Sequence, residues 1–229
     1  MTRWFSTLWI LVQKEWCLEW RSKELFTLLA CNSILFAVLV GAGVSSAVLD
    51  ASTTEKLFSM LLWIVFMLSS TTAVTRFNEQ ELEGRGFEGL LLSGVTGAQM
   101  YVAKVIIMTI FFAVSFVILA LLLALSLNRD VSGILLSLCF VGIGTSSALA
   151  ALLALLAAVA STSKLKGILL PIISLPVLFP VFLCGMEMTT DLVLYGALQE
   201  GSPWPLVLLC AETVYLVAGI NLFESAIRE

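Results

Sequence analysis

The chain has 229 residues, of which 60% are hydrophobic and only 12% are charged, and its mean hydropathy is +1.06. This composition is typical of a protein whose helices cross a membrane several times, and it excludes an ordinary soluble globular domain. A net charge of −4 without a basic cluster gives no support for nucleic-acid binding, and the absence of histidine excludes histidine as a metal ligand or general base.

The first 24 residues predict an amphipathic helix that lies in the membrane interface. Apolar side chains recur every fourth residue, while Gln13, Glu19 and Arg21 fall elsewhere on the helical wheel. Tryptophan prefers the headgroup region, so we expect four of the six tryptophans to anchor this helix: Trp4, Trp9, Trp16 and Trp20. The alternative is that the helix simply extends the first span. A signal peptide is not indicated, because no small-residue cleavage site follows the apolar run.

Six apolar stretches follow, and each is long enough for a helix that crosses a hydrocarbon core. They cover residues 25–49, 57–74, 105–127, 131–160, 168–185 and 204–223. The predicted fold class is therefore an all-α membrane protein, with six transmembrane helices in residues 25–229 after an interfacial helix in residues 1–24. The fourth stretch is too long for an upright span, so we expect it to tilt or to begin in the interface.

Lysine and arginine residues are divided unequally between the two sides of these spans. Ten of the twelve lie before the first span, between the second and third, between the fourth and fifth, or after the sixth. The opposite side has only Lys56 and Arg129. By the positive-inside rule, this division predicts that both termini are cytoplasmic.

Three of the spans carry residues that are unusual in a lipid-facing helix. Proline removes a backbone hydrogen bond, so Pro171, Pro176 and Pro180 in the fifth span are candidates for a structural kink or a gate. Glu212 lies midway along the sixth span, and we expect its carboxyl to be functional or neutralised. The fourth span has small residues at steps of four from Gly142, which predicts close helix packing. The five cysteines form no C-x-x-C pair, so we predict no metal site and no catalytic residue.

Residues 186–203, after the fifth span, predict a loop or one or two short helices on the outer face. Thr189 or Thr190 is a candidate N-cap, with Asp191 in the first helical turn. A half-inserted hairpin and an ordinary acidic loop both fit these residues.

Residues 75–104, between the second and third spans, contain a dense group of charges. Six of them lie within fourteen residues: Arg76, Glu79, Glu81, Glu83, Arg85 and Glu88. Hydrocarbon excludes such a group, so the segment stands in water on the cytoplasmic side. We expect the second span to continue as a helix into this segment as far as Glu83.

A short second helix is predicted after a break in the same segment. Each glycine in a helix interior costs about 1 kcal/mol relative to alanine, and three glycines interrupt residues 84–89. Phe87, Leu90 and Leu91 then recur at helical spacing and give this second helix one apolar face. Such a helix fits a groove in another protein. A turn on the membrane surface without a partner fits the residues equally well.

One family resemblance covers essentially the whole chain. The run from Phe77 to Lys104, with EGLLLS at its centre, resembles a cytoplasmic segment of the B subunit of the cytochrome c maturation ABC transporter, the haem exporter permease. KEWCLEWRSKE near the N-terminus and GILLPIISLPVLFPVFLCG resemble the amphipathic start and the proline-bearing fifth span of that family. The chain departs from the family pattern at Gly94, where proline is usual, at Phe87, where leucine is usual, and in the looser turn at residues 84–86.

The resemblance implies an ABC permease subunit that is not itself an enzyme, whose second-to-third loop forms a coupling helix that docks on a separate ATPase. The implied docking residues are Glu79, Glu81, Glu83, Arg85, Gly86, Phe87, Glu88, Leu90 and Leu91. The sequence agrees that the ATPase is separate, because it contains no G-x-x-x-x-G-K-[ST] motif. Further implied partners are a haem-handling membrane subunit and a periplasmic haem chaperone, and a second copy of the chain is another candidate. The implied location is the bacterial inner membrane.

The chain is expected to hold no cofactor of its own, because ATP belongs to the partner subunit. Without histidine, a tight axial haem site would need methionine, cysteine or tyrosine, so we expect weak haem binding or none. Two other functions remain open from the sequence. One is an ABC permease for a lipid or another amphiphile, and the other is an ion-coupled secondary transporter that uses Glu212.

Overall fold

The computed structural model describes residues 2–45, 51–83, 95–161 and 166–228. These ranges form α1 (Thr2–Ser22), α2 (Glu24–Ser45), α3 (Ala51–Glu83), α4 (Gly97–Ser126), α5 (Leu135–Ser161), α6 (Lys166–Tyr195) and α7 (Trp204–Arg228). Helices α2 to α7 each contain a candidate membrane span: Leu25–Gly43, Lys56–Val74, Gly97–Ser126, Leu135–Ala157, Pro176–Tyr195 and Trp204–Phe223. The predicted all-α class with six spans is confirmed.

Helices α4 and α5 form the centre of the bundle. α4 contacts α1, α2, α3, α5 and α7, and α5 contacts α3, α4, α6 and α7. Aromatic rings fill the core between α3 and α4, where Trp63 lies 5.1 Å and Phe66 lies 5.2 Å from Phe116, measured between ring centroids. The small residues of α5 let these helices approach, because Gly142 lies directly against Phe116 and Ala150 and its neighbours are fully buried. The predicted close packing of this helix is confirmed.

Helix α6 differs most from the sequence-based expectation. It continues without a break to Tyr195, so residues 186–195 are helical and only residues 196–203 form a loop. Thr189 is not an N-cap, since it lies inside the helix and its hydroxyl accepts a hydrogen bond from Trp63 Nε1 at 2.9 Å. A buried indole N–H needs a partner, and the continuation of α6 past Gly185 provides one.

The hydrogen bond between Trp63 and Thr189 gives a direct test of this helix continuation. Thr189→Val keeps the side-chain shape and leaves the buried indole N–H without an acceptor, so we expect a loss of about 1–3 kcal/mol in unfolding free energy. Thermal unfolding of the purified protein in detergent measures the loss. Thr190→Val is the matched control, because the Thr190 hydroxyl bonds to Met186 O within the same helix, at 2.8 Å. Equal losses in the two variants would contradict the assignment.

The prolines of α6 lie inside a continuous helix. Pro176 and Pro180 are exposed on its surface, and the side chain of Pro171 lies outside the described residues. In the turn before Pro180, Val177 O accepts a hydrogen bond from the Tyr215 hydroxyl at 2.7 Å, which links α6 to α7. The predicted kink or gating role of the three prolines stays a prediction.

Helix α1 is separate from α2 and lies beside the first half of α4. Lys23 stands between α1 and α2 with a φ of 57°, so α1 does not simply extend the first span. Gln99 Nε2 of α4 donates to Trp4 O at 3.3 Å, and the Trp16 and Phe111 rings stack with centroids 5.6 Å apart. In both contacts the residue of α4 lies 95 positions after its partner in α1, so α1 and α4 run in the same direction.

The two faces of α1 differ in chemistry. Its four anchor candidates, Trp4, Trp9, Trp16 and Trp20, are exposed, so they remain available to a lipid surface. The face towards the bundle buries Glu15 and Glu19, with 7% and 1% of their surface exposed. Glu15 pairs with Lys14 at 2.7 Å, and Glu19 Oε1 accepts from the Phe26 N–H in the first turn of α2 at 3.2 Å. A carboxylate favours a helix N-terminus, which explains why Glu19 is buried. Interfacial anchoring stays a prediction.

The loop between α4 and α5 lies at the end of the bundle opposite Glu83. Asp130 is exposed there and its carboxylate accepts a hydrogen bond from the Ser132 N–H at 2.9 Å. This backbone hydrogen bond lowers the pKa of Asp130. The loop at 196–203 lies at the same end, and Glu200 in it is exposed.

Candidate functional site

The α3–α4 junction is the end of the bundle where α3 stops at Glu83 and α4 starts after Thr96. The candidate span of α3 ends at Val74, but the helix continues to Glu83, which adds about 14 Å at 1.5 Å per residue. The whole of α3 is about 50 Å long, against about 30 Å for a hydrocarbon core. The predicted continuation to Glu83 is confirmed, and it carries the second span well beyond the bilayer core.

Most of the predicted docking residues lie outside the described residues. The backbone at Glu79, Glu81 and Glu83 is helical, but their side chains belong to the undescribed part. The described residues also leave out the whole of Arg85, Gly86, Phe87, Glu88, Leu90 and Leu91. The break near residues 84–86 and the short amphipathic helix after it therefore stay predictions.

The other side of the junction is a capped helix start. Thr96 Oγ1 accepts from the Gln99 N–H at 3.4 Å, and Gln99 Oε1 accepts from the Thr96 N–H at 3.1 Å. This reciprocal capping box satisfies two backbone donors at the first turn, and Gln99 Nε2 also donates to Trp4 O. Helix α4 thus starts at Gly97, eight residues before the start at residue 105 that hydropathy indicates, and its first turn is fixed to α1.

Tyr101 joins the first turns of α4 to two other helices. Its side chain is fully buried, and its hydroxyl lies 2.8 Å from Ala151 O of α5 and 3.2 Å from Tyr215 O of α7. The hydroxyl has one proton to donate, so the shorter contact to α5 is the stronger hydrogen bond. The ring lies against Gly219 and, with centroids 5.4 Å apart, against Phe223. Tyr101 therefore links the start of α4 to both α5 and α7.

Lys104 lies one turn after Tyr101 and is buried, with 4% of its surface exposed. The sequence places it among the charges of the connecting loop, whereas the structure places it inside α4. A buried ammonium requires compensation by polar groups. Lys104 is therefore a buried basic residue within the part of α4 that directly follows the α3–α4 junction.

Glu212 occupies a different part of the molecule, on α7 in the middle of the candidate span Trp204–Phe223. It is half-buried, and its Oε1 lies 2.5 Å from Ser147 Oγ of α5. Ser147 Oγ is also 2.8 Å from Gly144 O. The predicted intramembrane position of Glu212 is confirmed, and its role stays a prediction.

The described ranges contain no group of residues that is arranged to bind a metal ion. No group of three or more histidine, cysteine or carboxylate residues lies together there. Cys184 is buried within α6, and Cys17, Cys31 and Cys210 are exposed on three different helices. The features that the described part brings together are a helix extension, a capped helix start and buried links between helices.

An all-helical bundle with six spans and a helix extended beyond its span defines an integral membrane protein of the permease class. The family model of the CcmB protein matches residues 6–227, which is nearly the whole chain. The chain belongs to the CcmB protein family, the family of the haem exporter permease subunit. It is a membrane component of the cytochrome c maturation ABC system, in which it forms a complex with other subunits. A search of curated proteins found no significant match.

Proposed function

We propose that this chain is the non-catalytic permease subunit of an ATP-driven complex, and that the ATPase docks on residues 79–91 at the α3–α4 junction. ATP hydrolysis on that separate subunit drives haem trafficking and release for cytochrome c maturation. The complex lies in a bacterial inner membrane with the junction and both termini in the cytoplasm. The placement of ten of the twelve basic residues on this side supports that orientation.

The observation that carries this proposal is that a continuous helix precedes the docking segment and a capped helix follows it. α3 is continuous from its span to Glu83, and α4 is capped at Thr96 and tied to its neighbours at Tyr101. A push on residues 84–94 therefore moves α3 and α4 as rigid rods instead of being absorbed in a flexible loop. Through Tyr101, the movement of α4 extends to α5 and α7 and changes the opposite end of the bundle.

Haem is the cargo of the complex and not a resident cofactor of this chain. Membership of the CcmB protein family favours haem over a lipid. The absence of histidine favours a subunit that binds haem weakly or not at all. A haem-handling membrane subunit and a periplasmic chaperone then receive the haem that the movement releases. Haem absorbance measured on the purified chain alone and on the complex tests this division, and tight stoichiometric haem on the chain alone would contradict it.

Charge reversal at the junction tests the docking. In the double variant Glu83→Lys and Glu88→Lys, we expect the affinity for the ATPase to fall by at least about tenfold, equivalent to about 1.4 kcal/mol, because charge complementarity at the contact is inverted. Binding is measured by co-purification from membranes and by titration in detergent. The ATP turnover of the complex is measured in parallel.

The matched control reverses two carboxylates at the opposite end of the bundle, in Asp130→Lys and Glu200→Lys. Both side chains are exposed in loops, so we expect this variant to retain the ATPase. If the junction variant retains the ATPase with unchanged turnover, the docking proposal is wrong. If only the control variant loses it, the proposed orientation is wrong.

A further inference from the structure

The groove between α5 and α7 carries a carboxyl group at the middle of an otherwise apolar membrane surface. We call this surface the α5–α7 seam, and it consists of Leu136, Phe140, Ile143, Ser147, Leu209 and Glu212. Its four apolar side chains are between 51% and 73% exposed. Beyond Ser147, the next turns of α5 are buried from Ala148 to Leu155. The seam is therefore open only from the 127–134 loop to mid-depth, and Glu212 lies at its closed end.

The hydrogen bonds of Ser147 determine which oxygen of the Glu212 carboxyl is available for a further hydrogen bond. Ser147 Oγ lies within hydrogen-bond distance of two acceptors, Glu212 Oε1 and Gly144 O, but a hydroxyl has only one proton. The contact to Glu212 Oε1 is the shorter of the two, at 2.5 Å, so the Ser147 hydroxyl donates to that carboxyl oxygen. Among the described residues, Ser147 is the only one whose side chain bonds to Glu212. The second carboxyl oxygen of Glu212 then remains an acceptor at mid-depth.

We propose that the α5–α7 seam binds a transmembrane helix of a different membrane protein, and that this helix donates a side-chain hydrogen bond to Glu212. An acceptor left against lipid chains at this depth is costly, and polar groups inside membranes are met by polar groups on neighbouring helices. The open part of the seam follows α5 from Leu136 to Ser147, about 16 Å, which is the length of three helical turns. A lipid acyl chain fits the apolar part but has no donor for Glu212.

A second copy of the chain does not fit this seam. Two copies related by a two-fold axis would bring one Glu212 against the other. Each carboxyl already accepts the hydrogen bond of its own Ser147, so two acceptor oxygens would face each other and neither seam would supply a further side-chain donor. The seam also lies in the half of the bundle away from the α3–α4 junction, so this inference does not depend on the docking of an ATPase there.

Photo-cross-linking of the full-length chain in its native membranes tests the proposal. A benzophenone amino acid at position 140 or 209 is expected to form an adduct with a transmembrane segment of another protein that carries a hydrogen-bond donor. Glu212→Leu should lower the yield roughly five- to thirtyfold. Glu212→Gln should stay within about twofold of the wild type, because the amide donates to Ser147 and keeps an acceptor oxygen. The same probe at position 39, on the exposed face of α2, is the control and should be insensitive to both changes.

A second variant covers the case in which Glu212→Leu does not fold. Ile143→Trp fills the seam without touching Glu212 and should also abolish the adduct, while thermal unfolding in detergent shows that the variant is folded. Three results would overturn the proposal: adducts with lipid only, adducts with a second copy of this 24.8 kDa chain, or yields that Glu212→Leu or Ile143→Trp leaves unchanged.

Discussion

Replacing Gly219 by alanine is expected to destabilise the protein by about 2 kcal/mol or more. A Cβ at position 219 would lie 2.0 Å from Cζ of Tyr101 and 2.2 Å from its hydroxyl oxygen, whereas carbon atoms in contact are about 3.5–4.0 Å apart. The Tyr101 ring cannot move aside easily, since it is fully buried and its hydroxyl is bonded to Ala151 O. Overpacking of this kind costs about 1–3 kcal/mol or more, and it outweighs the gain of about 1 kcal/mol that alanine brings to a helix.

Thermal unfolding in detergent measures this effect, and a fall in Tm of about 4–8 °C corresponds to it for a chain of this length. Gly144→Ala, in α5 where it faces α7, is the matched control. A Cβ at position 144 would meet only Leu208 Cδ2 at 3.5 Å, an ordinary contact, so we expect an unchanged or slightly higher Tm. An equal fall in both variants would show that Gly219 is not a specific point of close approach.

The number and type of the helices could be read from the sequence because long apolar segments are decisive in a membrane protein. The end of α6 could not be read from the sequence in this way. Glu187 and Asp191 lower the hydropathy after Gly185, so a local pattern ends the span there. The helix nevertheless continues to Tyr195, and within this continuation Thr189 accepts a hydrogen bond from the indole of Trp63, 126 residues earlier in the chain. A contact of such sequence separation leaves no trace in the periodicity of α6.

Some features of the candidate site could likewise be predicted from the sequence, and others could not. The continuation of α3 to Glu83 follows from local composition, and the T-x-x-Q signal at Thr96 could have given the correct start of α4. The role of Tyr101 could not be predicted, since its acceptors lie 50 and 114 residues away. The burial of Glu19 was also hidden, because a helical wheel of α1 cannot show that this carboxylate caps the next helix.

Tyr101→Phe is expected to separate ATP hydrolysis from haem delivery. The change removes the hydroxyl that bonds α4 to Ala151 O and keeps the ring that packs on Gly219 and Phe223. We expect the ATPase to remain bound, because the proposed docking segment is unchanged, and the unfolding free energy to fall by about 0.5–1.5 kcal/mol. Haem transfer to cytochrome c per ATP hydrolysed should fall at least about fivefold, the lower range of typical coupling between distant sites. Haem-dependent cytochrome assembly and ATP turnover are measured on the same membranes.

Tyr215→Phe is the matched control that distinguishes coupling from a general loss of stability. It also removes one buried tyrosine hydroxyl, which bonds to Val177 O at 2.7 Å, but it loosens α7 from α6 and leaves α4 untouched. We therefore expect a similar loss of stability with haem transfer per ATP close to wild type. If the two variants lose haem transfer to the same extent, the loss reflects stability alone. If Tyr101→Phe transfers haem normally, the start of α4 is not the route by which movement at the junction reaches α5 and α7.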